Sequence, residues 1–179
     1  MDSATQILDI AERRMRGSGY NAVSYRDIAA EIGIKSSSLH YHFPKKEDLG
    51  TALVRRYTEN FRNSLVAKTS DVHRPQDMIS AFVDIYRHAL EDQRLVCLCA
   101  VLGAEAPGLP HPVTRELRRF FEENTAWLEE RYEALGYKTP RDQANTTLAL
   151  LQGAMIMSSV NDDIGIFDAA DKLIQKTGK

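Results

Sequence analysis

Two histidines, His40 and His42, stand two positions apart in the stretch AAEIGIKSSSLHYHFPKKEDL, which runs from Ala29 to Leu49. Such a pair could ligate a metal, take part in catalysis or lie on the outer face of a short helix that binds a polyanion. On a helix, residues i and i+2 are about 200° apart, so these imidazoles cannot hold one ion. Neither cysteine of the chain is near, and no nucleophile or carboxylate accompanies the pair at a suggestive spacing. We therefore expect no metal, no cofactor and no catalytic residue, and the polyanion remains the favoured partner.

The elements around the histidines have the proportions of a helix-turn-helix. Ser24 stands where an N-cap belongs, with Asp27 three residues on, before a short helix that Gly33 ends. A second short helix is predicted from about Ser36 to His42, and Pro44 prevents its simple continuation. Together with a first helix over residues 3–16, these form a three-helix module in which the second short helix reads the DNA.

The predicted reading helix has one apolar stripe and one polar face. Leu39 and Phe43 are four residues apart and point inward with Ile34, so the serines, His40 and Tyr41 point elsewhere. Small hydroxyls allow close approach to DNA, and longer donors reach base edges in the major groove. Lys45 and Lys46 begin the next helix, where we expect them to meet backbone phosphates. A plain solvated surface helix is the alternative.

The rest of the chain predicts an all-α fold of about nine helices. Apolar residues recur at helical spacing, and no sustained strand-like alternation is present. We assign residues 1–45 to a DNA-binding domain and residues 46–179 to a helical bundle, in which the sequence EAPGLPHP forms a hinge loop. The helices of the bundle are predicted from Lys45 or Lys46 to Lys68, Pro75 to Glu91, Arg94 to Ala104, Pro112 to Leu135, Pro140 to Val160 and Ile164 to Ile174.

Charge and composition restrict the class of protein. Residues 1–70 carry 11 basic and 8 acidic residues, whereas residues 71–179 carry 12 and 17, so only the first part suits a polyanion. No run approaches the roughly 18 apolar residues of a membrane span. Cys97 and Cys99 are too close in sequence to clamp a secreted fold. We expect a soluble cytoplasmic protein that makes no contact with a membrane.

Residues 4–54 resemble the DNA-binding domain of TetR/AcrR-family transcriptional regulators. The resemblance rests on the sequence SYRDIAAEIGIKSSSLHYHFPKKEDL, with its DIA segment, its turn glycine, its Phe-Pro pair and the following Lys-Glu-x-Leu. It departs from the family pattern at positions 35, 37 and 40, where Lys, Ser and His replace the usual Ser, Gly and Tyr, and the first change shifts the expected helix cap to Ser36. The resemblance implies DNA contacts by Ser24, Tyr25, Lys35, Ser36, Ser37, His40, Tyr41, Lys45 and Lys46.

In layout alone, residues 55–179 resemble the effector-binding and dimerisation bundle of such regulators. The resemblance implies a small apolar or aromatic effector inside the bundle, with candidate contacts at Phe61, Phe82, Tyr86, Cys99, Leu102, Phe120 and Trp127. Small residues on the predicted helix from Pro140 favour a twofold four-helix contact, made by this helix and the predicted helix from Pro112 in each of two copies. The candidate dimer residues are Leu148, Leu151, Gly153, Ala154, Met155 and Met157, for which an internal core role is the alternative.

The segment VCLCAVLGAE, residues 96–105, allows two readings. Cys97 or Cys99 could be a redox sensor, with Arg94 as the nearest cation able to lower a thiol pKa. Free cysteine is also among the most buried residue types, so ordinary packing is favoured. Glu105 is read as a surface charge at the end of a helix rather than as a pocket carboxylate.

These patterns predict a dimeric DNA-binding protein, and the resemblance implies a homodimeric transcription factor, with a repressor as the favoured reading, that binds a palindromic operator and is released by a small effector. One alternative is a regulator that responds to oxidants through Cys97 and Cys99. Another is a DNA-binding dimer without a small effector. A thiol redox enzyme is the rival from a different class, but the sequence has no cofactor fingerprint, nucleophile elbow or metal-ligand set.

Overall fold

The computed structural model of the chain describes residues 3–91 and 95–176. Within these ranges it contains nine α-helices, one short 3-10 helix and no strand, which confirms the all-α prediction. In the same ranges, no helix is both long and apolar enough to cross a membrane. The helices are α1 (Ser3–Ser18), α2 (Tyr25–Ile32), α3 (Ser36–His42), α4 (Lys46–Thr69), α5 (Pro75–Glu91), α6 (Leu98–Ala104), α7 (His111–Ala134), α8 (Pro140–Asn161) and α9 (Gly165–Lys176), with the 3-10 helix at Ala106–Gly108.

The end of α1 and the start of α6 differ from the predicted bounds, and the other helix ends lie within two residues of theirs. Helix α1 continues through Gly17 and Ser18, and Gly19 ends it with a φ of 82° and an N–H that donates to the Met15 carbonyl. A side chain at position 19 would overlap the Glu105 carboxylate, so glycine is required there. Helix α6 begins at Leu98 rather than at Arg94, and residues 95–97 are not helical. Arg94 itself lies outside the described residues.

The chain divides into two compact units. The first comprises Met1–Glu59 and Leu98–Phe120, and the second comprises Asn60–Cys97 and Phe121–Lys179. Helices α4 and α7 therefore contribute residues to both units. The division at residue 45 into a DNA-binding and an effector domain concerns function, and it stays a prediction.

The core of the first unit fixes α3. The α1 residues Ile7, Ala11 and Met15 are fully buried, as are Leu49 and Leu53 of α4. Full burial of a leucine side chain stabilises a fold by roughly 1.5–3 kcal/mol. The fully buried Ile28 of α2 and Leu39 of α3 belong to the same core, so both short helices are held by their apolar faces and their other faces stay outside.

Polar contacts join α4 and the segment after α6 to α1 and the turn that follows it. The Arg56 guanidinium on α4 lies 2.7 Å from the Asp9 carboxylate and 3.2 Å from that of Glu12. Glu105 accepts a hydrogen bond from the Tyr20 N–H at 3.1 Å. The expectation that Glu105 is only a surface charge was wrong, because its carboxylate satisfies a backbone N–H left open where α1 ends.

The second unit is built from α5, α8, α9 and parts of α4 and α7. Helices α8 and α9 pack against each other and against α5. The Arg87 guanidinium of α5 lies 2.7 Å from Asp168 and 3.1 Å from Asp171 on α9. The buried hydroxyls of Tyr132 and Thr147 are 2.6 Å apart and join α7 to α8.

Candidate nucleic-acid interface

The first short helix begins as predicted. Ser24 has an extended backbone, and its Oγ accepts a hydrogen bond from the Asp27 N–H at 3.2 Å. The Ser24 hydroxyl also lies 2.6 Å from the Asp27 carboxylate, to which it donates. Ser24 is therefore the N-cap of α2, and because it remains exposed it is available for the phosphate contact that the resemblance implies.

The turn between α2 and α3 requires a glycine. Gly33 has a φ of 79°, and the N–H groups of Gly33 and Ile34 both donate to the Ala29 carbonyl at 3.0 Å. The next cap differs from the prediction. Lys35 has the extended backbone of an N-cap and makes no capping bond with its side chain, whereas Ser36 is already the first helical residue.

Helix α3 has a buried side and an outward side, as the sequence predicts. Leu39 is fully buried, and Phe43 directly after the helix is 9% exposed. The side chains on the outward face, Ser37, His40 and Tyr41, are exposed, and Tyr41 is 84% exposed. Positions i, i+3 and i+4 of a helix share one face, so these three form a single polar surface, which we call the reading face. Ser36 is half-buried beside it.

Tyr25 supports α3 rather than standing free. Its hydroxyl lies 2.8 Å from the Phe43 carbonyl and 2.6 Å from the Lys45 carbonyl, the first residues after α3. Its ring lies 4.8 Å from that of His40, and His40 Nδ1 is 3.2 Å from the Pro44 carbonyl. Burial, and then the nearby Asp48 carboxylate, raise the pKa of Tyr25. Tyr25 thus stays protonated as a donor that holds the end of the reading helix.

The two lysines at the start of α4 differ in their surroundings. Lys45 is exposed, with its Nζ 3.3 Å from Glu47. The Lys46 Nζ instead lies 3.3 Å from the Asn21 carbonyl and 4.7 Å from the centre of the Tyr20 ring. Burial lowers the pKa of Lys46, and the charge of Glu105 opposes that shift. In this conformation Lys46 is bound to the turn after α1, so Lys45 is the better placed phosphate ligand.

Sequence reasoning missed Arg26, the second residue of α2. Its side chain is exposed and forms no ion pair with any residue that the structure describes, whereas Arg13 and Arg14 are both paired with Glu31. Arg26 follows the Ser24 cap by two positions, at a helix N-terminus suited to anions. Its place beside the cap was the signal that could have identified it.

The seven predicted effector contacts are divided between the two units. Cys99, Leu102 and Phe120 are fully buried in the first unit. The other four, Phe61, Phe82, Tyr86 and Trp127, belong to the second unit and form one cluster, which we call the aromatic cluster. The Phe82 ring centre lies 5.4 Å from that of Phe61 and 5.5 Å from those of Tyr86 and Trp127, and it stacks on Trp127.

Gln152 of α8 adds polarity beside the aromatic cluster. Its Nε2 donates to the Tyr86 hydroxyl at 3.3 Å and lies 3.7 Å from the Cys97 Sγ. Its buried Oε1 has no hydrogen-bond partner among the residues that the structure describes. Sequence reasoning missed this residue, although a glutamine inside an apolar run is a visible signal. Cys97 and Cys99 are both buried and form no disulfide with each other.

The predicted dimer residues on α8 lie on two sides of the helix. Leu148, Leu151, Ala154 and Met155 are at most 5% exposed in the single chain, so they belong to its own core and offer no surface to a partner. Gly153 and Met157 are exposed. The prediction is corrected for the four buried residues, because the outer apolar face of α8 is formed by other side chains, namely Ile156, Met157 and Val160.

The described fold and the geometry of α2 and α3 define a helix-turn-helix DNA-binding protein. The family model described as bacterial regulatory proteins, tetR family, matches residues 5–53. The crystal structure of a TetR-family regulator from Agrobacterium tumefaciens is 30% identical, with a TM-score of 0.92 over 97% of this chain and 96% of that one. The chain belongs to the TetR family of transcriptional regulators.

Two further relatives agree with this assignment. The crystal structure of a TetR regulator from Legionella pneumophila is 28% identical, with a TM-score of 0.95 over 100% of this chain and 98% of that one. YezE of Bacillus subtilis, named as an uncharacterized HTH-type transcriptional regulator, is 28% identical over 117 residues. That match spans 64% of this chain and 58% of YezE. All three relatives are named as regulators, none as an enzyme.

Proposed function

We propose that the chain is a homodimeric repressor whose binding to a palindromic operator is relieved by a small apolar or aromatic effector. In this proposal residues 1–45 bind DNA, and residues 46–179 bind the effector and form the dimer. The observation that carries it is the reading face, an exposed polar surface on a short helix that is anchored on its other side by the fully buried Leu39.

The side chains around the reading face suit a DNA duplex. Arg26, Lys35 and Lys45 are exposed on the same module and would bind backbone phosphates, which fix the position of the protein on the duplex. Ser37, His40 and Tyr41 would then reach base edges in the major groove. Tyr25 and Lys46 have roles inside the protein in this conformation, which makes them supports for the interface rather than contacts.

Dimerisation compensates for the small size of helix α3. Helix α3 has 7 residues and offers few contacts alone, whereas two copies about 34–36 Å apart bind two half-sites of a palindrome. The outer faces of α8 and α9 would supply the contact. Met157 and Val160 of α8 are 55% and 80% exposed, and Leu173 of α9 is 54% exposed. Apolar side chains in this number on two packed helices favour a second copy as their partner.

The aromatic cluster is the proposed effector site. Its rings provide the contacts that an apolar or aromatic molecule needs, and Gln152 adds polar atoms at one edge. Cys99, Leu102 and Phe120 are fully buried in the first unit, so we leave them out of this site.

Helix α4 is the proposed connection between effector and operator. It carries Lys46 and Arg56, which bind the Asn21 carbonyl and the α1 carboxylates, and it also contributes Phe61 to the aromatic cluster. An effector that binds the two conformations of the protein unequally would move α4 and change the spacing of the two readers. Effector and operator must then weaken each other's binding by the same factor.

Fluorescence anisotropy on duplex DNA from upstream of the gene, with a scrambled duplex as control, tests this proposal. We expect two protomers to bind the native duplex and Tyr41→Ala to weaken binding by about tenfold, as loss of a base contact does. Lys68→Ala, at an exposed site on α4, is the matched control and should leave affinity unchanged. No affinity for any duplex at low salt would contradict the proposal.

The alternatives separate in the same assay. If oxidants act through Cys97 and Cys99, peroxide should release the wild-type protein from DNA but not the Cys97→Ser/Cys99→Ser variant. A dimer without a small effector would bind DNA equally in the presence of every apolar compound tested.

The sign of regulation needs a second experiment. A repressor predicts that loss of the chain raises transcription from a reporter that carries the bound duplex.

A further inference from the structure

A cavity of about 420 Å³ lies in the second unit, at the end of α8. It is lined by the last turn of α5, by the last turn of α8 and by the short connection to α9. Its lining combines two apolar side chains, Leu90 and Ile164, with three carboxylates, Glu91, Asp162 and Asp163. None of the four aromatic residues of the proposed effector site is among the lining residues, and neither the operator nor that site explains the cavity.

The charge of the cavity is negative. Among the described lining residues there are three acidic side chains and no lysine or arginine. Arg87 lies 3.5 Å from Glu91, but it is closer to Asp168 and Asp171, at 2.7 and 3.1 Å. The C-terminal end of α8 adds the negative end of a helix dipole. A cation is the ligand that this arrangement favours.

A buried hydroxyl supports the same conclusion independently of the carboxylates. Ser158 lines the cavity and is only 5% exposed, and its Oγ has no hydrogen-bond partner among the residues that the structure describes. Buried polar groups are rarely left unpaired, because the loss of water costs free energy. This oxygen has almost no accessible surface in the present conformation, so an N–H donor in the cavity reaches it once the Ser158 side chain rotates about its χ1 toward the cavity.

The donors do not suit a metal ion. The part of the chain that the structure describes contains no group of three His, Cys, Asp or Glu side chains arranged to hold one. Asp163 also uses its Oδ1 to accept the Gly165 N–H at 2.8 Å at the start of α9. Separate carboxylates, a hydroxyl and two aliphatic side chains together fit a cation that carries an apolar body.

We propose that this cavity binds a small organic ammonium ion. The ammonium group is held between the carboxylates of Glu91 and Asp162, and the Ser158 hydroxyl rotates to accept a hydrogen bond from it. The apolar body of the amine lies against Leu90 and Ile164. The volume falls within the range of small-molecule sites, roughly 300–1,000 Å³. This inference does not rest on the proposed repressor function, since it concerns a different part of the second unit.

Isothermal titration of the full chain with phenethylammonium chloride tests the proposal, with phenethyl alcohol as the uncharged control of the same shape. We expect the ammonium to bind with one site per chain at low ionic strength and the alcohol not to bind. Asp162→Asn should weaken binding by about tenfold through loss of a charge-assisted hydrogen bond. Because Asp162 has a φ of 50°, a conformation that asparagine tolerates well, the helix end should be preserved.

Asp142→Asn, at an exposed site in the first turn of the same helix, is the matched control and should leave the affinity unchanged. Equal binding of ammonium and alcohol would overturn the proposal, as would unchanged affinity in Asp162→Asn. Displacement of the amine by an equal concentration of calcium chloride would identify a metal site and overturn it too. If Asp162→Asn alters the circular dichroism spectrum, Glu91→Gln provides the same comparison, and unchanged affinity in that variant would overturn the proposal.

Discussion

Helices α3 and α8 both carry residues predicted to meet a partner, yet the prediction of side-chain placement succeeded for one and failed for the other. In α3, Leu39 is buried and Tyr41 is exposed, as expected. In α8, Leu151 and Met155 were assigned to a dimer surface and are fully buried in the chain itself. The difference lies in the second face of each helix, which is polar in α3 and apolar in α8.

Helical period shows which residues share a face, but not which face turns inward. In α3, the hydroxyls and imidazoles oppose one leucine, so hydrophobic burial leaves one choice. In α8, Leu151 and Met155 line one face, and Ile156 and Val160 line another. Both faces are apolar, and only the packing of α5, α7 and α9 decides between them.

Leu151→Ala tests which face of α8 is buried, and it should have the largest effect of the changes considered. Removal of a fully buried leucine side chain leaves a cavity and lowers the free energy of unfolding by about 2–5 kcal/mol. Val160→Ala, on the outer face of α8 at 80% exposure, should leave the unfolding of the isolated chain nearly unchanged. Urea unfolding followed by circular dichroism, at several protein concentrations, measures both. Equal destabilisation by the two changes would reverse the assignment of the faces.

Local signals made the helix-turn-helix predictable. The Ser24 cap, the left-handed Gly33 and Pro44 each fix backbone geometry within a few residues, so the bounds of α2 and α3 follow from the sequence. The same is true of Pro75 and Pro140, the first residues of α5 and α8. Long-range contacts have no comparable signal in the sequence. The bond from the Tyr20 N–H to Glu105 joins residues 85 positions apart, and nothing near Glu105 indicates it.

Side-chain roles at the interface were only partly predictable for the same reason. The residue type of Lys46 suggests a phosphate ligand, but its contact with the Asn21 carbonyl depends on how α4 packs. Tyr25 likewise became a support through two carbonyls after α3. Arg26 forms no ion pair with a described residue, whereas Arg13 and Arg14 are paired with Glu31, and the residue types alone do not distinguish these arginines.

Val160→Glu tests whether the outer face of α8 forms the dimer contact. A carboxylate at the centre of the proposed dimer contact would face its own copy across a twofold axis, and we expect the dimer to dissociate at least tenfold more readily. Sedimentation velocity measures the dissociation constant. Lys68→Glu, at an exposed site on α4, is the charge-reversal control. An unchanged constant for Val160→Glu would place the dimer contact elsewhere.

Tyr25→Phe tests how much the Tyr25 hydroxyl stabilises the end of α3. The change removes the hydroxyl that lies near the Phe43 and Lys45 carbonyls, and it should lower the free energy of unfolding by about 1 kcal/mol. The raised pKa of Tyr25 means that the folded state retains a proton which the unfolded state loses above its ordinary value of 10.0. The contribution is therefore fully present below pH 10 and lost as the pH rises through the folded pKa.

Urea unfolding of both proteins across the alkaline range measures this contribution. The gap in unfolding free energy between wild type and Tyr25→Phe should be constant below about pH 9 and narrow at higher pH. Tyr41→Phe, at an exposed ring that no such carbonyl contact holds, is the control and should leave no gap. A gap that widens with pH would show that the phenolate, not the phenol, is the favoured form in the fold.

Arg26→Ala and Lys46→Ala should give the smallest but most selective effects. If Arg26 neutralises one phosphate in each protomer, its loss makes the slope of log affinity against log salt less steep by about 1.8 for a dimer. Lys46→Ala should leave that slope unchanged, because its ammonium already binds the Asn21 carbonyl and lies over the Tyr20 ring. Anisotropy titrations at several salt concentrations measure both slopes. A slope that changes with Lys46 and not with Arg26 would mean that Lys46 leaves the turn after α1 when DNA binds, and that the unpaired arginine points away from the duplex.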